Sequence, residues 1–356
     1  MRAFVVTGPR ECGVQEVPVP APRADEVVVD VARVGVCGTD VEFYTGEMAY
    51  LHDGHAAYPM RLGHEWCGVV AAVGGAVEPG WIGRRVAGDT MLGCGHCQRC
   101  LSGRQHLCEA RTEVGISGGR AGALAEQLAV PVSSLRALPD AVDDAAGAMV
   151  EPGGNALRAA RAAGLEPGDR LLVLGPGTIG LLAAQFAQDG GAEVHVVGRD
   201  PASLTFAASL GFAGVWPLGE PPRRDFDAVI DATNAADAPA LALDLVAPGG
   251  RVVYIGLAGT PSTIDTRTLA LKDVTAVGIL SGSPGLSGAI DAYASGAVDP
   301  RPLVAATVGL EDVGDVLAGR RPAGAGPGPK VHVDPRGVTI APHPTINHDR
   351  NEKRDT

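Results

Sequence analysis

Leu171–Gly180 reads LLVLGPGTIG. Four apolar residues run into Gly175-Pro176-Gly177-Thr178-Ile179-Gly180, a G-x-G-x-x-G turn, and Thr178 to Gln188 beyond it reads as a helix. Strand, glycine turn and helix in that order are the context in which the pattern signifies a dinucleotide site. The first glycine makes the tight turn, the second lets the backbone approach a pyrophosphate, and the third lets the helix pack closely on the strand. Exposed amides at the positive helix end then hold the phosphates. Without that context the same residues are only a Gly-rich strand-to-helix turn.

Downstream the alternation continues. Val194 to Val197 is a second strand, Pro201 to Leu210 a second helix, and Asp227 to Asp231, Arg251 to Gly256 and Val274 to Leu280 are further strands. Apolar strands alternating with helices predict a parallel sheet with crossover helices. The second strand ends in VHVVGRD, where an NAD site usually places a carboxylate for the ribose hydroxyls. Gly198 and Arg199 stand there instead. A small residue leaves room for a 2′-phosphate and a guanidinium binds it bidentately, which favours NADP. Two other readings stay open: Arg199 stacks on adenine, or Asp200 reaches the ribose of NAD. Further on, Leu286 to Ser295 reads as a helix and Lys330 to Val333 as a closing strand. From Gly337 the chain is polar and aperiodic, and is expected to be a mobile tail.

Upstream the texture differs. Roughly the first 150 residues read as short β segments broken by turns. Glu26 to Val36 and Cys67 to Val73 are strands, and Trp81 to Val86 leads into a third. Then comes CGHCQRCLSGRQHLC, which places Cys94, Cys97, Cys100 and Cys108 in one short loop. Four thiolates in tetrahedral array suit zinc, and short spacings let one loop wrap the ion. Such a site is closed and stabilises the fold without doing chemistry. The competing disulfide framework needs an oxidising compartment, and MRAFVVTGPR at the N-terminus has no apolar signal-peptide core.

At 356 residues there is chain for two domains with substantial cores. A net charge of −12 with no Lys or Arg run longer than a pair argues against nucleic acid and anionic membranes. No apolar stretch approaches the ~20 residues a membrane helix needs. The cytoplasm is the expected address.

Three further residues acquire meaning from this frame: Cys37 in VGVCGTD, His64 in RLGHEWCG and Glu151 in MVEPGGN. Each alone is bland, since a lone His before a strand is often structural and a Glu-Pro is often a turn. Together with the four-cysteine loop, GPGTIG and the closing KVHVDP, they resemble the zinc-dependent medium-chain dehydrogenases, the alcohol and polyol dehydrogenase superfamily. The match spans about residues 1 to 336. It implies an α/β protein with a GroES-like β-rich catalytic domain (1–153 and 281–336, with a zinc lobe near 90–110) and a Rossmann doubly wound parallel-sheet domain (154–280).

The resemblance further implies that Cys37, His64 and Glu151 ligate a catalytic zinc, giving two zincs per chain. Glu-Pro matches the polyol and sugar branches, where alcohol dehydrogenases carry a cysteine. Glu65 becomes an adjacent carboxylate and occasional ligand, Asp40 the acceptor that orients His64, and Thr39 the hydroxyl that relays a proton. Cys67 reads as a small buried hydrophobe, not a ligand. Glu42 stands where many relatives end the relay with a histidine; C-G-T-D-x-E resembles archaeal glucose dehydrogenases, and a solvated surface carboxylate is the alternative. The expected reaction is hydride transfer from a secondary alcohol of a polyol, sugar or cyclitol to nicotinamide, in a homodimer or homotetramer. A threonine-dehydrogenase-like or simple secondary alcohol enzyme using NAD is the rival. A non-catalytic relative, or a zinc-free quinone reductase, would lack Cys37, His64 and Glu151.

Overall fold

The structure is a computed structural model and describes residues 1–222 and 225–337. The expected tail, 337–356, lies outside the described residues except for Gly337. Two sheets organise the rest. One is six-stranded and wholly parallel, in the order Gly214–Pro217, Glu193–Gly198, Arg170–Leu174, Phe226–Asp231, Val246–Tyr254, Thr275–Gly278. The strand that comes first in the chain, Arg170–Leu174, therefore lies at the centre, and the chain winds outward from it in both directions. That reversal leaves a crevice beyond the carboxyl ends of the strands, where ligands bind in such sheets. Leu171, Leu172 and Val173 are fully buried, as a strand covered on both faces requires.

The second sheet orders Val304–Val308, Lys330–Val333, Glu26–Gly35, Glu65–Val73, Arg85–Gly88 and Leu135–Ala137, with Gln127–Pro131 also paired to Glu26–Gly35. Two strands from beyond the parallel sheet thus return to the β-rich unit. Lys330–Val333 pairs antiparallel with Glu26–Gly35 through His332 opposite Gly35. This return brings Lys330 beside Glu65.

The expected elements recur with shifted ends. The third early strand is Arg85–Gly88, because Pro79–Trp81 forms a helical turn before it. The strand expected over Val274 to Leu280 is confined to Thr275–Gly278. Several helices were not expected, among them Gly38–Thr45, Ala238–Leu245, Thr266–Leu271 and Val150–Ala162, of which the last is the longest. Val150–Ala162 carries Glu151 in its first turn and packs against Thr178–Asp189 and Leu286–Ser295. It bridges the two sheets, so its first residues face the β-rich unit and its body the parallel sheet.

Candidate functional site

Cys37 lies two residues past the strand Glu26–Gly35 and is the N-cap of the helix Gly38–Thr45. The Asp40 carboxylate accepts from the Cys37 amide at 2.8 Å and from the Gly63 amide at 3.1 Å. Asp40 is fully buried, so these bonds pin the Cys37 turn to the segment that carries His64. His64 Nδ1 stands 3.5 Å from the same carboxylate, which leaves the other ring nitrogen for a ligand. Burial alone would lower the His64 imidazole, but Asp40 and Cys37 outweigh it and hold it well above its ordinary range. Such a pocket has a surplus of negative charge that favours a cation.

Donor atoms of Cys37, His64 and Glu65 lie within 4.8 Å of one another. Glu151, expected as the third ligand, is outside that cluster. Asn155 Nδ2 donates to its Oε1 at 2.9 Å and holds the carboxylate against its own helix. It is still close enough for His64 and Glu65 to act on its charge, while burial pushes its pKa up to about 7. Glu65 is held in turn by Lys330, whose Nζ donates to both its oxygens at 2.9 and 2.7 Å and to the Val36 carbonyl at 2.9 Å. Both partners of this pair are buried. Burial works against the Lys330 ammonium, yet Glu65 and Cys37 hold its pKa above the usual value. The donor set, one thiol, one imidazole and neighbouring carboxylates, fits an open zinc site with fewer protein ligands than a closed one.

The four-cysteine loop forms the other cluster. Cys94, Cys97, Cys100 and Cys108 also lie within 4.8 Å of one another, and all seven cysteines are free thiols. Cys94 and Cys100 Sγ are 3.9 Å apart. Sulfurs about 2.3 Å from a tetrahedral zinc would lie about 3.8 Å apart. Hydrogen bonds from the His96 and Cys97 amides draw the Cys94 thiol down to about 6, and burial pushes Cys100 up to about 12. Cys67 is buried, with its thiol donating to the Asp144 carbonyl at 3.3 Å, and joins neither cluster.

A cleft of about 1030 Å³ runs between the units. Cys37, Thr39, Glu42, Met48, Glu65 and Lys330 line one end, and the glycine turn with Gly198 and Arg199 the other. Thr39 and Glu42 are three apart on one helix and so share a face. Burial and then Glu47 raise the Glu42 carboxyl above its usual value. At the glycine turn, a Cβ on Gly180 would run into the Gly175 carbonyl, which is the close helix–strand packing the motif requires. Beyond Gly177 there is open space. Gly198 differs from its expected role. A Cβ there would meet Pro176 Cγ at 2.6 Å, so its small size accommodates the turn itself and not only a phosphate. Arg199 is exposed and 3.6 Å from Asp237. Asp200 caps the helix Pro201–Ser209 by accepting from the Ser203 amide at 2.7 Å and its hydroxyl at 2.8 Å, which engages the carboxylate considered for a ribose.

Two family models match: an alcohol dehydrogenase GroES-like domain over residues 23–140 and a zinc-binding dehydrogenase over 178–295. An L-threonine 3-dehydrogenase of Mesorhizobium japonicum is 34% identical over 74% of this chain and 79% of its own length. The L-galactonate-5-dehydrogenase of Escherichia coli K12 is 32% identical over 80% of this chain and 84% of its own. The chain belongs to the zinc-dependent medium-chain dehydrogenases. Among solved structures, a zinc-binding dehydrogenase of Sinorhizobium meliloti bound to NADP superposes with a TM-score of 0.84 at 29% identity, covering 94% of this chain and 99% of that one. An alcohol dehydrogenase of Escherichia coli CFT073 complexed with NADH gives 0.85 at 26%, with the same coverages. The dehydrogenase is therefore a zinc-dependent oxidoreductase that transfers hydride between an alcohol and NAD(P). No helix among the described residues is long and apolar enough to cross a membrane.

The residue that sequence reasoning missed at this site is Lys330. It lies 265 positions from Glu65 and nothing local marks it, although it opens the closing KVHVDP.

Proposed function

We propose that the dehydrogenase oxidises a secondary alcohol of an uncharged polyol, sugar or cyclitol, with Cys37, His64 and Glu151 holding a catalytic zinc and the four-cysteine lobe a second one. The observation that supports this reading is the cleft, whose lining includes Cys37 and Glu65 of the Cys37–His64–Glu65 cluster together with the glycine turn. Zinc bound there would act as a Lewis acid on the alcohol and lower its pKa toward neutrality. Thr39 and Glu42 then offer a hydroxyl and a carboxylate along one helix face for the proton to leave. Glu65, held by Lys330, supplies negative charge beside the metal.

The choice of an uncharged substrate rests on the lining. Its only cations among the described residues are Lys330, engaged by Glu65, and Arg199 at the other end of the cleft. A carboxylate substrate, such as threonine or a sugar acid, would find no free cation at the Cys37 end of the cleft among the described residues. NADP is the preferred dinucleotide in this reading, on account of Arg199 and the absence of a carboxylate at Gly198. We also take 1–153 with 281–336 as the catalytic domain and 154–280 as the dinucleotide domain, consistent with the return of Val304–Val308 and Lys330–Val333 to the β-rich sheet. Free cysteines are in keeping with a cytoplasmic address.

The test is kcat/KM across neutral polyols and cyclitols, sugars, L-galactonate and L-threonine, each with NAD and NADP. Turnover confined to neutral polyhydroxy compounds and abolished by His64→Ala in folded enzyme is expected. Preferred turnover of L-threonine would establish the threonine-dehydrogenase reading in its place.

A further inference from the structure

Asp89 is a buried carboxylate that neither zinc cluster uses. Among the described residues it forms no ion pair, although the charge of Arg136 acts on it, and three donors from separate segments converge on it. The Met91 amide reaches Oδ1 at 3.0 Å, Gln105 Nε2 reaches Oδ2 at 2.8 Å, and Ser283 Oγ reaches Oδ1 at 2.8 Å. Gln105 belongs to the four-cysteine lobe; its carbonyl accepts from the amide of Cys108, the fourth thiol. Ser283 belongs to the segment by which the chain leaves the parallel sheet. Its amide donates to Ser281 Oγ at 3.1 Å, and the Ser281 and Leu280 carbonyls both accept from Arg158 of the helix Val150–Ala162.

That segment is seated on the first turns of the same helix. A Cβ on Gly282 would meet the Glu151 carbonyl at 2.7 Å and the Asn155 amide at 3.0 Å. One on Gly285 would run into the Gly154 carbonyl. Asn155 holds the Glu151 side chain. A continuous set of contacts therefore leads from the fourth cysteine through Gln105, Asp89 and Ser283 to Glu151. Gln105 and Ser283 are both bound to the Asp89 carboxylate, one at each oxygen, and removing that carboxylate would leave both donors without their partner.

We propose that Asp89 is a positioning residue that fixes segment 281–285 to the four-cysteine lobe and thereby sets where Glu151 stands in the catalytic site. The order of the lobe is then transmitted to the open metal site, and the lobe does more than stabilise its own loop. This inference rests on the placing of Glu151 at the catalytic metal given above.

The experiment uses the full-length enzyme with hydrogen exchange as its first readout. Variants are Asp89→Ala, Asp89→Asn, Gln105→Ala, Ser283→Ala and the Gln105→Ala/Ser283→Ala pair. Loss of a hydrogen bond to a buried charge is expected to speed exchange of amides in 281–286 and 149–156 about tenfold or more in Asp89→Ala. Asp89→Asn, which keeps an acceptor oxygen, should recover part of it. Gln105→Ala, made in the lobe, should also speed exchange in 281–286, and its effect should not add to that of Ser283→Ala, because both act through one carboxylate.

The second readout is the visible d–d spectrum of Co2+ exchanged into the open site, which a purely structural role would leave unchanged. It should shift in Asp89→Ala. Exchange faster only within the lobe in Gln105→Ala, additive effects in the pair, or an unaltered cobalt spectrum in Asp89→Ala would each overturn the proposal. Should Asp89→Ala not fold, the Gln105 and Ser283 variants decide it. A Glu151→Ala arm separates the two readings. If that variant leaves the cobalt spectrum unchanged, Glu151 is not at the metal, and the site reading fails independently of the exchange result.

Discussion

In the proposed reading, cofactor choice turns on Arg199. Its exposed guanidinium stands 3.6 Å from Asp237, its one ion pair among the described residues, and the proposal gives it the 2′-phosphate of NADP. A charge-assisted contact is worth about 1.5–3 kcal/mol, so Arg199→Ala should weaken NADPH about 10- to 100-fold and leave NADH almost unchanged. Titration of both dinucleotides by fluorescence checks this, and equal losses for the two would make Arg199 an adenine-stacking residue. Introducing a carboxylate at Gly198 is a poorer reversal than its position suggests. Gly198→Asp must displace Pro176 from the glycine turn, so both dinucleotides should weaken. The sequence shows that Gly198 is small, but only the fold shows what fills the space. The same holds for Lys330 and Glu65, whose pairing depends on the last strand returning to the first sheet. Cys37 and His64 were legible because their short motifs, CGTD and GHEWCG, stand in one chain with the four-cysteine loop and the glycine turn.

At the scale of elements, the four-cysteine loop should behave as a metal-dependent folding unit. Its two helical turns, Gln98–Leu101 and Gln105–Leu107, are too short to hold themselves. Cys97→Ser should release one zinc of two and lower the melting temperature, measured by metal analysis and calorimetry; retention of both zincs would contradict the lobe assignment. The closing strand carries a second prediction. His332 is fully buried with neither ring nitrogen hydrogen-bonded, and burial, then Lys330 and Arg33, push it down to about 3. The folded protein therefore keeps it neutral, while the unfolded chain binds a proton below about 6.5. Its contribution to stability is complete above that pH and is lost as pH falls toward 3. At pH 5 the loss is about 2 kcal/mol. Denaturant unfolding at pH 7 and pH 5 should show that drop in the wild type and a smaller one in His332→Leu; equal drops would mean that another group is responsible. The parallel sheet was legible from its apolar runs, whereas the helix Val150–Ala162 was not. Glu-Pro-Gly-Gly looks like a turn, yet Pro152 falls in the first helical turn, where the missing amide costs nothing. The glycines are demanded by neighbours distant in sequence: a Cβ on Gly153 would strike the Tyr293 hydroxyl, and one on Gly154 would meet the Gly282 carbonyl at 2.7 Å.

For the whole molecule, the parallel sheet ends on an edge that no other strand among the described residues pairs. Thr275–Gly278 pairs with Val246–Tyr254 on one side, and three of its four residues are exposed. Beside it stand Leu271, 80% exposed, and Leu280, 42% exposed. An open edge flanked by exposed leucines is a template for a further strand and needs cover. A second copy related by a two-fold axis offers that cover with the same residues, because an isologous contact is self-complementary. The pairing would run one sheet through both copies and leave the cleft, at the carboxyl ends of the central strands, open to substrate. We therefore expect a dimer, or a tetramer built from such dimers, at micromolar concentration in sedimentation velocity. Replacing Ala276 by Pro and Leu280 by Lys removes a ladder donor and charges the apolar flank, and should yield monomers that still bind NADPH. A monomeric wild-type enzyme would show that the edge is left bare. A doubly substituted variant that stayed dimeric would move the interface to another face of the molecule.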